Sequence, residues 1–486
     1  MTKSQVAKSQ SNPNPNDQAP KPEEELISSR FPSDCGIWSL GFGVWGLGFD
    51  WDLVPWSLGF GQIRVPAGTV THPFVWPATW PLDTDGLPGK ILRNRLPGCR
   101  FMGLLRAALA MAVVLGHTLS GRHRLVMIDP AAAVELFFII SGFYMGLILS
   151  EKYVGPKSFK LFITNRLLRL FPAYLLVLVI SVLLWLLLGK RAGTDGPAGL
   201  FRLGLKPSAL ILLAGVQLLI VAQEIFLFAR VGPGGSLIPT AHFQNHPPIW
   251  QYAVVPPAWS LSLELYFYAI APFLIRLRTR TLVIVACCSF CCRLYIYERL
   301  RLTNDPWTYR FFPSELMFFT AGILAYRAYA VIRAKPPSRF VLWAVTCCVL
   351  LLAILYQSLP GSRVIAGFEP RQWACYAVTW AAMPLLFLWS NPVSGNNRWL
   401  RTIDRWIGEM SYPIYITHFF ILQMLTLPTH RQLSLQFLLI GVVTITLVTS
   451  ALLLKFVMQP IEHIRSKRAR TVQSRALQYA VDVVTP

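Results

Sequence analysis

Charge is scarce in this chain. Only 14% of its 486 residues are Asp, Glu, Lys or Arg, where a soluble globular protein carries about 25%. Acidic residues are the scarcer kind, 23 against 45 basic ones. There is no internal repeat with matching broken helices, a pattern that many transporters carry. The nine cysteines show no disulfide framework. Apolar residues fill the space that charge leaves. The chain is 54% hydrophobic, and its mean hydropathy is +0.48. Repeated apolar runs of about 17–25 residues exclude a soluble core and imply an all-α, polytopic membrane helical bundle.

The formal net charge is +22. In a soluble protein that excess would suggest nucleic acid. Here the basic residues sit in short loops between apolar runs, which reads as positive-inside topology with no nucleic-acid partner. Four of the cysteines form Cys287-Cys288-Ser289-Phe290-Cys291-Cys292. Their i, i+4 pairs share a helix face, so a metal site is conceivable. No His or carboxylate accompanies them in that run. They read as small packing residues, and no metal is expected.

Residues 1–100 read as a disordered or spurious N-terminal extension. The first 34 are polar and rich in Pro, Ser, Asn and Lys. Trp38–Gly43 and Trp56–Gly61 then repeat WSLGFG without helical period. An aromatic interface segment is the alternative, and Met102 the expected true start. Residues 101–460 form the membrane domain, and 461–486 a basic cytoplasmic tail.

Eleven apolar runs follow Met102. They are Met102–Leu119, Ala131–Leu149, Phe171–Leu188, Leu210–Phe228, Ser260–Ile275, Leu282–Tyr297, Leu316–Ile332, Phe340–Tyr356, Trp373–Trp389, Ile407–Leu425 and Leu433–Met458. Basic clusters lie at Lys152–Arg169, Arg276–Arg280, Arg333–Arg339, Arg398–Arg405 and Arg465–Arg470. If all face the cytoplasm, an even number of spans separates each neighbouring pair. Three runs lie between the first two clusters, so one does not cross. Leu210–Phe228 carries Gln217, Gln223 and Glu224, and reads as a re-entrant or outer-surface segment. The result is about ten transmembrane helices in the plasma membrane, with both termini cytoplasmic. Lys190, Arg191, Arg202 and Lys206 fall on the outer side in this scheme.

Arg106 and His117 stand inside the first run, eleven residues apart. That separation is about three turns, so both fall on one helix face roughly 16 Å apart. Ionisable residues within a span usually mark a pathway or a reaction centre. Arg106 at the cytoplasmic mouth and His117 near mid-membrane suggest a channel for an anion with a reactive end. Arg166 and Arg169, at i, i+3, suit phosphate oxygens, since each guanidinium offers a planar fork of donors. They also suit ordinary positive-inside charge. Glu135 opens the second run, where it either faces the pore or is a solvated interface carboxylate. Ser141-Gly142 permits close backbone approach, which helix packing alone explains. Glu264 either caps a helix after Ser260, pairs with His117 or positions an acceptor hydroxyl. His418 is intramembrane, with a structural hydrogen bond or chemistry as its role. Gly232, Gly234 and Gly235, followed by His242 and His246, read as an outer acceptor site or a flexible wet loop.

Together these residues resemble the acyltransferase-3 family of integral membrane acyltransferases. The matches are Leu105-Arg106 with His117, FFIISGF at Phe137–Phe143, and Arg166-Leu-Leu-Arg169 with Pro172. They continue with WSLSLE at Trp259–Glu264 and SYPIYITH at Ser411–His418, which contains Tyr412. Gln459-Pro460-Ile461-Glu462 looks like a variant of the family's closing element. The resemblance spans about residues 100–468. It implies transfer of an acyl group, often acetyl, from cytoplasmic acyl-CoA to a hydroxyl of a surface polysaccharide or glycolipid sugar. Polysaccharide assembly proteins would be partners. About 28 residues follow Met458, too few for the extra hydrolase-like domain of some family members. The expected mechanism places Arg106, Arg166 and Arg169 on the CoA phosphates. His117, with Glu264, then meets the thioester as general base or acyl carrier. Glu135, Ser141, Tyr412 and His418 support it. A transporter or flippase, or an inactive scaffold in polysaccharide assembly, is the alternative.

Overall fold

The structure, a computed structural model, describes residues 102–119, 128–153, 158–189, 196–359, 364–389, 398–426, 434–469 and 471. The expected N-terminal extension and the last residues of the basic tail lie outside them. Each apolar run has become a helix. They are α1 (Met102–Thr118), α2 (Pro130–Glu151), α3 (Ser158–Leu184), α4 (Pro207–Leu219), α5 (Trp259–Leu274) and α6 (Thr279–Leu294). Then follow α7 (Phe312–Ile332), α8 (Arg339–Leu355), α9 (Pro370–Trp389), α10 (Arg398–Leu425) and α11 (Leu435–Leu453). Among the described residues, six helices are long and apolar enough to cross a membrane alone: α2, α3, α6, α7, α8 and α11 with their extensions. The protein is a polytopic, predominantly helical membrane protein.

Local chemistry sets several helix starts. Pro130, Pro207 and Pro313 occupy first turns, where a missing N–H costs nothing and φ is already helical. Ser338 caps α8 by accepting from the Val341 N–H. α4 has thirteen residues and ends in a left-handed Ile220, so it is shorter than a span requires. Beyond it, β1 (Ala229–Val231) pairs antiparallel with β2 (Leu237–Pro239). This small hairpin is the departure from an all-α reading. Gly232, Gly234 and Gly235 form its turn, the last two with positive φ.

Two glycines hold one helix crossing tight. A Cβ on Gly142 would lie 2.0 Å from the Phe319 carbonyl oxygen, and one on Gly322 2.0 Å from that of Ile139. Small residues here let α2 and α7 touch backbone to backbone. Phe138, Phe319 and Phe267 stack beside that crossing at 4.6 and 4.2 Å, tying in α5. Exposed Leu183, Leu187, Phe340, Ile354, Phe437 and Ile440 lie on α3, α8 and α11 or their extensions. Such apolar surface suits lipid rather than water.

Candidate active site

α1 and α10 run parallel and in register. The Gly103 and Leu104 N–H groups donate to the Asp404 carboxylate at 3.1 and 3.0 Å. Asp404 thereby satisfies donors that the helix start leaves orphaned. Burial raises the Asp404 carboxyl above its usual range, and these two N–H bonds oppose the rise. At the other end of the pair, His418 Nε2 lies 3.2 Å from His117 Nδ1. Both contacts join residues 301 apart in sequence. The register therefore holds over the fourteen residues from Gly103 to His117, about 21 Å of helix. A Cβ on Gly408 would sit 2.6 Å from Gly103 Cα, so glycine is what brings the two helices this close.

A cavity of about 360 Å³ opens beside the Arg106 end of this pair. Arg106, Ser141, Arg166, Arg169, Glu264 and Tyr412 all line it. Residues from five separate sequence motifs thus converge on one space. Arg166 is 5% exposed, and its guanidinium lies over the rings of Phe162 and Tyr268 at 5.6 and 5.7 Å. Its Nε is buried without a hydrogen-bond partner among the described residues, as is Nε of Arg465. Unsatisfied buried donors of this kind fit an anionic ligand. Glu264 lies within electrostatic reach of Arg106, Arg169 and Tyr268. Tyr412 donates to the Leu170 carbonyl at 2.7 Å, tying α10 to the arginine helix α3.

His117 and His418 do not line this cavity. They sit beyond Tyr415, which does. The Tyr415 hydroxyl bonds the Ser260 hydroxyl at 2.8 Å, and the Tyr415 carbonyl accepts from His418 Nδ1 at 2.8 Å. Tyr415 is thus the physical link between the arginine cavity and the histidine pair.

A model of the acyltransferase-3 family, described as an acyltransferase domain, matches residues 100–454. The chain belongs to that family. The exopolysaccharide production protein ExoZ of Rhizobium meliloti (strain 1021) is 26% identical over 295 residues, covering 60% of this chain and 76% of ExoZ. No solved structure matches.

Two residues in this acyltransferase-3 chain stand apart from their expected places. Glu135 neither faces the cavity nor is solvated. It is 1% exposed, accepts from the Tyr376 hydroxyl, and lies 3.7 Å from Arg293. Arg293 also donates to Glu315 at 2.7 Å. An isolated carboxylate could not stay charged at that depth, so the arginine explains its burial. Glu264 does not cap its helix, since α5 begins without a side-chain cap. Nor is it the hydrogen-bond partner of His117, whose ring meets Val113 and His418 instead. His117 itself occupies the last turn of α1.

The hairpin loop does not gather its histidines into a site. His242 Nδ1 accepts from the Gln244 N–H at 3.1 Å, and the His246 carbonyl accepts from Arg230. Cys287, Cys288 and Cys291 are exposed on α6, and Cys292 is half-buried. Past Met458 the last helix continues to Ala469. Ile461, Glu462 and Arg465 line the cavity, so the first part of the supposed tail belongs to the site. A π turn at Leu454–Met458 precedes it.

Sequence reasoning passed over Arg465, Tyr415 and Arg310. Arg465 had a signal in the closing element beside it, and Tyr415 in SYPIYITH. Arg310 had none. It forks onto Asp305 at 2.6 and 2.7 Å and lies over Trp259 and Tyr309 at 4.4 and 4.7 Å. Burial works against its charge, but the Asp305 pair outweighs it and holds the guanidinium above its usual value.

Proposed function

We propose that this protein moves a short acyl group, acetyl in the simplest case, from acyl-CoA to a sugar hydroxyl of a surface polysaccharide or glycolipid. The observation that carries the reading is the convergence of Arg106, Arg166 and Arg169 on one cavity, with a buried Arg166 Nε that has no hydrogen-bond partner among the described residues. The family supplies the reaction class. The similarity to an exopolysaccharide production protein supports the acceptor.

The cavity volume lies near the low end of the roughly 300–1,000 Å³ of ligand pockets. That suits a narrow pantetheine arm inside, with the nucleotide phosphates held at the mouth by the arginines. The loop charges support a mouth on the cytoplasmic face of the plasma membrane. For the thioester to reach His117, the Tyr415–Ser260 contact must open. An Nε2 lone pair on His117 then takes the acceptor hydroxyl proton, the oxygen attacks the thioester carbonyl, and the C–S bond breaks. The proton passes to the departing thiolate. Alternatively, Nε2 attacks first and carries the acyl group to the hydroxyl.

The test uses the purified full chain in proteoliposomes with acetyl-CoA and extracted surface glycan. Release of CoA thiol that depends on the glycan, and that is lost in His117→Ala, is expected. Thiol release unaffected by His117→Ala, or none in the parent protein, would reject the proposal.

A further inference from the structure

The two histidines at the far end of α1 and α10 have a defined proton arrangement. A carbonyl oxygen only accepts, so each ring nitrogen facing one must carry a hydrogen. His418 Nδ1 is 2.8 Å from the Tyr415 carbonyl. It therefore donates, and a neutral His418 has a bare Nε2. His117 Nδ1 is 3.0 Å from the Val113 carbonyl, so it also donates. That same N–H lies 3.2 Å from the bare Nε2 of His418. The reverse assignment, His418 Nε2 donating to His117 Nδ1, would face two lone pairs with carbonyl oxygens. The remaining nitrogen, His117 Nε2, keeps its lone pair.

We propose that His418 is a positioning residue that accepts the Nδ1–H of His117 and so reserves Nε2 of His117 for chemistry. This rests on the reading of His117 as the reacting group. His418 is 0% exposed and locked to its own helix by the Tyr415 carbonyl. His117 is half-buried, and the Phe419 ring meets it edge-on at 5.5 Å. A fixed ring thus orients a partly accessible one, the logic of a base held by a third group. When Nε2 takes the hydroxyl proton, the imidazolium strengthens its Nδ1–H bond to His418 Nε2. If Nε2 instead takes the acyl group, its lone pair forms the new N–C bond as the C–S bond breaks. The same tautomer serves both routes, because each needs that lone pair.

The primary test reads the tautomer in the parent protein. The full chain is labelled with ¹⁵N-histidine and reconstituted in bilayers, and the His117→Gln variant identifies its signal among the eight histidines. A protonated Nδ1 and a bare Nε2 are expected. The second test measures turnover. His418→Leu should lower kcat by about 10²- to 10⁴-fold, the range of general-base contributions, with KM for acetyl-CoA unchanged within about twofold. His418→Gln places an amide oxygen near the lost Nε2 and should stay within about tenfold of the parent. An Nε2–H tautomer in the parent, normal turnover in His418→Leu, or equal loss in both variants would overturn the positioning role. A fully active His117→Gln would instead overturn the catalytic reading on which it rests.

Discussion

Arg166 offers two measurements whose signs should oppose each other. It is 5% exposed and, among the described residues, forms no ion pair with a carboxylate. Its neighbours in the cavity include Arg169 and Arg465. Holding a guanidinium there without an anion is unfavourable, since a buried charge costs several kcal/mol unless it is compensated. The Tyr268 and Phe162 rings offset only part of this, at about 0.5–2 kcal/mol. Arg166→Met should therefore leave the ligand-free protein as stable as the parent or slightly more so. Binding should behave in the opposite way. A hydrogen bond to a charged group contributes about 1.5–3 kcal/mol. Losing one phosphate contact should thus weaken CoA affinity by about 10- to 150-fold. Arg166→Lys, which keeps the charge but not the fork, should fall between. The assay is CoA titration of purified protein in nanodiscs, with thermal unfolding followed on the same samples. CoA should protect the parent against heat and protect Arg166→Met far less. An unchanged affinity would remove the phosphate role. A clear loss of ligand-free stability would show instead that Arg166 is a structural cation.

Other perturbations separate architecture from chemistry. Arg293→Met leaves Glu135 and Glu315 buried without their partner. It should destabilise the fold by about 3–5 kcal/mol, with recovery when both glutamates become Gln, as read by thermal unfolding in detergent. Gly408→Val would drive side-chain atoms into α1, whose Gly103 Cα lies 2.6 Å from the position of a Cβ. Turnover should disappear even where the protein still inserts, as measured by CoA release beside a membrane-fraction blot. Tyr415→Phe removes the bond to Ser260, worth about 0.5–1.5 kcal/mol. Stability should change little, while kcat/KM for propionyl-CoA should rise relative to acetyl-CoA, because the contact between cavity and histidines loosens.

The helices were legible because lipid demands continuous apolar runs, and each of the eleven runs became a helix. The weak member of the series, Leu210–Phe228, became the short helix α4 and one further helical turn at Ile225–Phe228, with the hairpin after it. Gln217 explains part of this: its carbonyl accepts from Tyr174, and its side chain accepts from the Val254 N–H. That polar residue anchors a loop rather than facing lipid. Arg106, Arg166, Arg169 and Glu264, which line one cavity, stood out in the sequence because charge in an apolar setting is costly and so conspicuous. The same reasoning misplaced Glu135, since cost alone does not distinguish a ligand site from an ion pair. Its partner Arg293 sits 158 positions away, in a helix read as a cysteine-rich packing segment. The His117–His418 contact was hidden for a similar reason. Each residue was conspicuous alone, but only the α1–α10 register joins them.

That register couples the two ends of the site. A slide of one residue between α1 and α10 would shift their contacts by about 1.5 Å and turn facing side chains by about 100°. Either change separates His117 from His418, and either also breaks the Asp404 bonds to Gly103 and Leu104. No polar contact between the fixed ends is needed to hold the alignment, because the Gly103–Gly408 approach leaves no room for a shifted pairing. Arg106 rides on the same helix, eleven residues before His117. One rigid helix therefore carries both an arginine of the anion cavity and the imidazole beyond Tyr415. On the proposed function, a donor held by its phosphates at the mouth would be measured against a fixed length, about 16 Å of helix. An extended arm that spans this length would bring its acyl end to the histidine once the Tyr415–Ser260 contact opens, and a shorter carrier would stop before it. Length, set by helix register, would thus select a long-armed thioester over small anionic acyl donors before any contact with the acyl group itself.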